Sequence, residues 1–328
     1  MRTPISIPPE RAGRAPDADL AALRNQMGEG VAAGMFATRG PVEETQLGGL
    51  RCLRFTPQGK PRAYVLQLHG GGFRIGRPEF EGPLMERLTE RCRVATAIPQ
   101  YRLAPDNPFP AGLNDALTAL KALSEEAGDA PLIVGGDSAG GGLAASLGVL
   151  SQAGLAPRID GLVLLSPWLD VTVSAPSYAA NAATDQMFSK ESADNAAELY
   201  LQGFDAAHPL ASPLLAELTS YPPTFISVGN GEVLRDDSYR FNEKLVALGT
   251  PVELSAIDDM PHVAVVLGPD QVGAAETFGT PGFLVPLDNA QLFRWCLARG
   301  LRVFFVTTMM TTGIYQEPRG AYMPSVGY

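Results

Sequence analysis

The sequence predicts an α/β fold in which a mostly parallel central sheet is flanked by helices. Short apolar runs alternate with helical patterns along most of the chain, as repeated strand–helix units do. Most of these runs are apolar at nearly every position, which is expected when helices cover both faces of a strand. The predicted strands are Ala63–Leu68, Val94–Ile98, Leu132–Gly135, Leu162–Leu165, Thr224–Gly229 and Val252–Ile257.

Helices are predicted between several of these strands. They cover Asn114–Ala127, Ala139–Leu150 and Asp237–Leu248. The last of them is expected to end at Gly249, because glycine readily takes the left-handed conformation of a helix C-cap. Before the first strand, residues 1–45 form an alanine-rich preamble with apolar residues at helical spacing.

Residues 172–215 interrupt the strand–helix rhythm and contain a helical segment near Glu191–Leu201. An insertion after the strand that ends at Leu165 would lie above the carboxyl edge of the sheet, where ligands bind in open α/β folds. We therefore expect a helical cap made of this insertion and of N-terminal cap helices. The expected domains are the N-terminal cap helices 1–45, a catalytic domain of 46–171 and 216–300, the cap insertion 172–215 and an atypical tail 301–328.

The net charge of the chain limits the kinds of molecule that the protein is expected to bind. The 328 residues carry 25 Lys and Arg against 35 Asp and Glu, a net charge of −10. This argues against nucleic-acid and anionic-membrane partners, since both are polyanions.

No run approaches the roughly 18 apolar residues of a membrane span, and the N-terminus lacks an apolar signal-peptide core, so a cytoplasmic protein is expected. Cys52, Cys92 and Cys296 are widely spaced, which predicts neither a disulfide framework nor a zinc site.

A GxSxG motif stands between a predicted strand and a predicted helix. It is made of Gly136-Asp137-Ser138-Ala139-Gly140. A sharp strand-to-helix turn needs glycines two residues before and after the serine, because side chains there would collide. The turn exposes the hydroxyl at a helix N-terminus, where developing negative charge is stabilised. The five letters alone could mark a glycine-rich turn, but the flanking strand and helix favour a nucleophile at Ser138.

A serine hydroxyl needs a base to take its proton, and the chain has only three histidines. His69 follows an early strand, and His208 lies near the end of the insertion. His262 comes just after the last predicted strand. On scaffolds with this serine turn, the order along the chain is serine, acid, histidine. His262 fits that order and is the predicted base.

The acid that orients the imidazole is expected after the strand Thr224–Gly229, where three carboxylates crowd together. Glu232 is best placed, at the carboxyl end of that strand. Asp236 and Asp237 are better explained as residues of a helix N-terminus that interact with its dipole. Asp236 stays open as an alternative acid.

A second glycine-rich loop, His69-Gly70-Gly71-Gly72, follows the first predicted strand. Taken alone it would indicate a flexible turn. Together with the downstream GxSxG, it is expected to bring backbone N–H groups to a substrate oxygen. The N–H groups of Gly71, Gly72 and Ala139 are the predicted oxyanion hole.

These motifs resemble the bacterial hormone-sensitive-lipase-like esterases, family IV of the microbial lipolytic enzymes, over roughly residues 20–265. The matching segments are His69-Gly70-Gly71-Gly72-Phe73, Pro99-Gln100-Tyr101-Arg102-Leu103-Ala104-Pro105, Pro108-Phe109-Pro110-Ala111 with Asp115, Gly136-Asp137-Ser138-Ala139-Gly140-Gly141, Glu232-Val233-Leu234-Arg235-Asp236-Asp237-Ser238 and Met260-Pro261-His262. The resemblance implies the α/β-hydrolase fold, with Ser138 as nucleophile and His262 as base. It places the acid at Glu232, where most members have Asp.

The resemblance also implies a serine carboxylesterase that acts on small-molecule esters of short to medium acyl chains, without metal or organic cofactor. An amidase or a lactone hydrolase would use the same residues, since leaving-group preference lies in the cap and the pocket. A non-catalytic ligand receptor is the rival from another class, but plant receptors of this family lose the histidine, and His262 is present. Many members dimerise, often through the edge strand near Val252–Ile257, which allows a homodimer here.

The end of the chain departs from the family. Relatives usually finish with one amphipathic helix, whereas the sequence from Gly279 onward does not follow that pattern. Leu301–Met310 is apolar and β-branched, and Thr311–Tyr328 has the pattern of a loose tail. An apolar tail, if exposed, would favour association.

Overall fold

The computed structural model describes residues 5–258 and 260–267. Within them, one eight-stranded sheet has the order β1-β2-β4-β3-β5-β6-β7-β8. Its strands are β1 Glu43–Leu47, β2 Leu50–Phe55, β3 Tyr64–Leu68, β4 Ala95–Pro99, β5 Leu132–Asp137, β6 Gly161–Leu165, β7 Thr224–Gly229 and β8 Val252–Ile257. The strands from β4 to β8 in this order pair in parallel, whereas β2 is antiparallel to both β1 and β4.

Helices lie between these strands and before the sheet. They are α1 Ala18–Ala32, α2 Gly82–Cys92, α3 Ala111–Ala127, α4 Ser138–Gln152, α5 Ser177–Ala180, α6 Lys190–Leu201, α7 Arg235–Leu248 and α8 Ala264–Leu267. The sheet and the helices between its strands confirm the predicted fold class. Gly249 ends α7 in the left-handed conformation with φ 76°, as its position after the apolar pattern predicts.

The six predicted strands correspond to β3 through β8, with ends that differ by at most two residues. The prediction of helix over residues 1–45 holds only for Ala18–Ala32, since residues 5–17 form no helix or strand and Glu43–Leu47 forms β1. This strand pairs with β2 through a turn at Gly48 and Gly49. Most positions of β1 are exposed, so its sequence lacks the continuous apolar run that marks the inner strands.

Helix α4 lies in the centre of the molecule. Every residue from Ser138 to Leu150 is buried, because α4 packs on β3, β5 and β6 and against α3. The strand β4 is buried at all five positions, and β5 at five of its six. The turn between β5 and α4 therefore joins two buried elements of the core.

Parts of the sequence predictions remain untested by this fold. The division into cap and catalytic domains stays a prediction, and the expectations for residues 279–328 lie outside the described residues. Cys52 is buried and Cys92 exposed, both as free thiols, and Cys296 is also outside the described part. None of the helices described here has the length and apolar character that crossing a membrane requires.

Candidate active site

Ser138 is the first residue of α4 and follows β5 directly. Its φ of 50° lies in the left-handed region, which costs a non-glycine residue about 1–2 kcal/mol. The two flanking glycines make this turn possible. A Cβ on Gly136 would lie 2.3 Å from the carbonyl oxygen of Gly140, and one on Gly140 would lie 2.0 Å from that of Leu68. The GxSxG sequence thus forms the sharp strand-to-helix turn that it predicts.

The structure brings together Ser138, His262 and Glu232, which are far apart in the chain. The Nε2 atom of His262 lies 3.0 Å from Oγ of Ser138, and Nδ1 lies 2.6 Å from Oε2 of Glu232. All three side chains are buried. A neutral imidazole with its proton on Nδ1, held by the carboxylate, would present the bare Nε2 to the serine hydroxyl.

The electrostatics at His262 favour the charged imidazolium. Burial lowers the pKa of His262, but the charge of Glu232 and the hydrogen bond to it outweigh burial. The charges of Asp185 and Asp137 act in the same direction. The net result is that the pKa of His262 is raised above its ordinary value, which would suit the general base that the sequence predicts at this position.

Three donors hold the carboxylate of Glu232. Its Oε2 faces His262, while Oε1 accepts hydrogen bonds from the N–H of Gly229 at 2.5 Å and from Oγ of Ser166 at 2.7 Å. Glu232 lies three residues after the end of β7 at Gly229, in the turn that follows that strand. Ser166 has no motif around it that marks a functional residue, and the sequence prediction missed it.

The alternative acid Asp236 lies with other partners. It accepts a hydrogen bond from the N–H of Ser177 at 2.9 Å and pairs with Arg235 at 2.8 Å. Asp237 is fully buried and accepts from the N–H groups of Leu169 and Asp170, and burial raises its pKa to about 7. Both aspartates stand in the first turn of α7, as the sequence indicates, and both also fix neighbouring loops.

Side chains between α5 and α6 hold the backbone of the loop that carries Glu232. Nδ2 of Asn181 donates to the carbonyl oxygens of Asn230 at 3.0 Å and of Glu232 at 2.6 Å. Oδ2 of Asp185 accepts from the N–H of Val233 at 2.9 Å. The segment 172–215 is therefore bonded to the acid loop on both sides of the acid.

The loop after β3 is a tight turn built on glycines. The φ values of Gly71 and Gly72 are 120° and 59°, and the carbonyl oxygen of Gly71 accepts from the N–H groups of Arg74 and Ile75. Within the described residues, the N–H groups of Gly71 and Gly72 donate to no protein acceptor. Ala139 stands in the first turn of α4, where backbone N–H groups also lack intrahelical partners. The assignment of these amides to an oxyanion hole stays a prediction.

Beneath this loop lies a pair of buried carboxyl groups, Glu81 and Asp137. They are hydrogen-bonded to each other, Nε2 of Gln67 donates to Glu81 at 2.9 Å, and the N–H of Gly70 donates to Asp137. Burial and the adjacent charge of Asp137 raise the pKa of Glu81 well above its ordinary value. One proton held between the two acids avoids two buried like charges. The motif indicates Asp137 only as a spacer, and Glu81 lies in no motif.

Aromatic rings pack against the histidine and against the residue that follows the glycine loop. The ring of Phe188 is stacked on that of His262 with centroids 5.9 Å apart, and Trp168 meets Phe188 edge-on at 5.4 Å. Phe73, which follows the glycine loop, stacks on Tyr200 of α6 at 3.8 Å. The residues 172–215 thus place one ring against His262 and another against Phe73.

The other two histidines have separate partners. His69 is buried, its Nδ1 lies 2.8 Å from the carbonyl oxygen of Gly70, and burial lowers its pKa to about 4. Nδ1 of His208 accepts from the N–H of Leu210. In the part of the chain that the structure describes, neither contacts Ser138, and no group of three His, Cys, Asp or Glu side chains could hold a metal ion.

Comparison with known proteins agrees with this architecture. Residues 65–266 match the family model of the alpha/beta hydrolase fold. An acetyl-hydrolase of Streptomyces hygroscopicus is 38% identical over 61% of this chain and 67% of its own length. The carboxylesterase NlhH of Mycobacterium tuberculosis is 31% identical over 66% of this chain and 70% of its own.

A solved structure is similar over more of the chain. A hormone-sensitive lipase from a metagenome library superposes with a TM-score of 0.72 at 34% identity, covering 87% of this chain and 93% of that protein. The identity is high enough, and the coverage broad enough, to assign more than the fold. The chain belongs to the α/β-hydrolase fold family, among the bacterial hormone-sensitive-lipase-like esterases.

Proposed function

We propose that this protein is a serine carboxylesterase that hydrolyses short- to medium-chain acyl esters through an acyl-enzyme on Ser138. The observation that carries the proposal is the continuous hydrogen bonding from Glu232 through His262 to Ser138, at 2.6 and 3.0 Å. Ester hydrolysis is supported by the related acetyl-hydrolase and carboxylesterase. The apolar rings around His262 support neutral acyl groups as substrates.

In the first step, Oγ of Ser138 attacks the carbonyl carbon of the ester while Nε2 of His262 takes the hydroxyl proton. Glu232 keeps the ring oriented and stabilises the imidazolium that forms. The carbonyl oxygen gains negative charge, which the amides of Gly71, Gly72 and Ala139 would stabilise. Each such donor typically lowers the barrier by about 3–4 kcal/mol.

In the second step, His262 returns the proton to the oxygen of the leaving alcohol, and the acyl group stays on Ser138. Water then attacks the acyl-enzyme with His262 again as base, the bond from the acyl carbon to Oγ of Ser138 breaks, and His262 returns the proton to Oγ as the carboxylic acid is released. Every proton moves between His262 and a group bonded to the reacting carbon. The residues named here need no metal or organic cofactor for these steps.

The experiment is a kinetic panel of p-nitrophenyl esters from acetate to palmitate, with the Ser138→Ala protein beside the wild type. We expect turnover of acetate to octanoate, and a loss of nearly all turnover in Ser138→Ala without a change in its thermal unfolding. Full activity of Ser138→Ala would contradict the proposal. A fluorophosphonate label that fails to attach to Ser138 would favour a ligand receptor instead.

Amide and lactone hydrolysis would use the same groups, so the panel includes a p-nitroanilide and a γ-lactone of matched acyl length. We expect the ester to have the largest kcat/KM, and a larger value for either rival would reassign the substrate class. A cytoplasmic location and a homodimer through β8 also stay predictions. Sedimentation of the wild type against a variant with Ser255→Lys on β8 tests the dimer.

A further inference from the structure

Ser166 lies on the side of the catalytic acid away from the histidine. It follows β6 directly, is 2% exposed, and its N–H donates to the carbonyl oxygen of Ser227 on β7 at 2.7 Å. Its φ of 45° is left-handed, a conformation in which a glycine would be unstrained. Strained backbone conformations of this kind cluster at functional sites, so the contacts of the Ser166 side chain are informative.

The hydroxyl of Ser166 bridges the acid and the base. It donates to Oε1 of Glu232 at 2.7 Å, since an ionised carboxylate only accepts. The same oxygen accepts from the N–H of Val263 at 3.2 Å, the residue directly after His262. One hydroxyl therefore fixes both the carboxylate and the peptide that carries the base.

The bridge has a role because the predicted acid is a glutamate and not an aspartate. A glutamate has one more rotatable bond than an aspartate, so the end of its side chain can reach more positions. Oε1 of Glu232 is held from two directions, by the N–H of Gly229 at 2.5 Å and by Ser166. With both bonds in place, Oε2 has a single orientation, the one that faces Nδ1 of His262 at 2.6 Å.

We propose that Ser166 is a positioning residue of the site, whose hydroxyl holds Glu232 and the loop of His262 in register with Ser138. This rests on the proposed esterase function. Ser166 touches neither the reacting oxygen nor the base nitrogens, and it acts through the acid and through the backbone at Val263.

The test compares Ser166→Ala and Ser166→Gly with the wild type on p-nitrophenyl butyrate. We expect kcat to fall on the order of 10- to 100-fold in both, with KM changed less than threefold, since misplacement by about 1 Å has such an effect on rate. Ser166→Gly relieves the left-handed backbone and is expected to fold. A folded Ser166→Gly protein with wild-type kcat would overturn the proposal.

Ser212 offers a matched control. Its buried hydroxyl also accepts one backbone N–H, from Val171 at 2.9 Å, and donates one bond, to the carbonyl oxygen of Ala206 at 2.7 Å. Ser212→Ala is expected to lower the Tm about as much as Ser166→Ala while leaving kcat within twofold. An equal loss of kcat in both variants would mean a general structural effect and would contradict a positioning role.

A double-mutant cycle identifies the residue through which Ser166 acts. If it acts through Glu232, Ser166→Ala should reduce kcat by less than threefold in a Glu232→Ala background. The same 10- to 100-fold loss in both backgrounds would show that Ser166 does not act through Glu232, and would overturn the proposal that its hydroxyl holds the acid. An active Ser138→Ala protein would overturn the esterase function itself, whereas an inactive Ser138→Ala beside a fully active Ser166→Ala refutes only the role of Ser166.

Discussion

Oε2 of Glu232 lies 2.6 Å from Nδ1 of His262, whereas Asp236, four residues further on, is bonded to Ser177 and Arg235. Glu232→Ala should therefore lower kcat on the order of 10⁴-fold, the usual loss when a triad acid is removed. Asp236→Ala should keep most of kcat and lower the Tm. Steady-state kinetics and thermal unfolding of both variants check this, and a larger catalytic loss at Asp236 would reverse the assignment.

The raised pKa of His262 predicts the pH profile. The base must be neutral in the free enzyme, so kcat/KM should fall below a pH that lies above the ordinary histidine value of about 6.5. Since the charge of Glu232 raises this pKa, Glu232→Gln should move the acid limb of the residual activity to lower pH. The check is to measure kcat/KM of the wild type and of Glu232→Gln from pH 4 to 9. Acid limbs that coincide in the two proteins would contradict this prediction.

Glu81→Gln is predicted to stabilise the protein increasingly as the pH rises. The folded-state pKa of Glu81 is raised, so the wild type loses stability as the pH rises from the unfolded value of about 4.5 through the folded value. The slope in that window is at most about 1.4 kcal/mol per pH unit. The amide of the variant donates to Asp137 without titrating, so its advantage in Tm should be larger at pH 8 than at pH 5.

Glu86 serves as a control, because its pKa is shifted in the opposite direction to that of Glu81. Burial alone would raise its pKa, but the N–H groups of Gly40 and Arg39 and the charge of Arg39 lower it overall. A lowered folded pKa contributes stability that is present above about pH 4.5 and is lost as the pH falls. Glu86→Gln should therefore lower the Tm at pH 8. If both variants respond to pH in the same way, the buried carboxyl pair does not share a proton.

The two glycines of the predicted oxyanion loop should respond differently to alanine. A Cβ on Gly71 would lie 2.1 Å from the carbonyl oxygen of Ile75, while the atom nearest to one on Gly72 would be the methyl carbon of Ala196, at 3.4 Å. Gly72→Ala should cost about 1–2 kcal/mol of unfolding free energy, from its left-handed φ. Gly71→Ala should cost far more and abolish kcat. Urea unfolding compares them, and equal losses would contradict the turn geometry.

The inner strands and helix α7 can be predicted from the sequence, because the patterns that mark them lie within each element and its flanking residues. Each of β3 to β8 is an apolar run between turn residues, and α7 carries its own stop at Gly249. The pair β1 and β2 has no such signal, since β1 begins with four polar residues and Arg51 and Arg54 interrupt the apolar residues of β2. Helix α2 also went unpredicted, because charged residues occupy much of its eleven positions.

At the site, the order serine, acid, histidine predicts which side chains meet. Ser138, Glu232 and His262 form one set of hydrogen bonds as expected. Supporting residues such as Ser166 and Glu81 could not be found in this way. Each is a common residue in an ordinary stretch of sequence, and its partners come from strands that only the folded sheet brings together.

The bonds that Asn181 and Asp185 make to the backbone around Glu232 have a consequence for protein engineering. The segment that places the ring of Phe188 against His262 also holds the backbone around Glu232, so we expect selectivity and turnover to change together when this segment is altered. A chimera that receives a foreign segment at 172–215 should lose rate on every ester unless it keeps these two side chains. Libraries that vary the segment should leave both unchanged and randomise the positions around them.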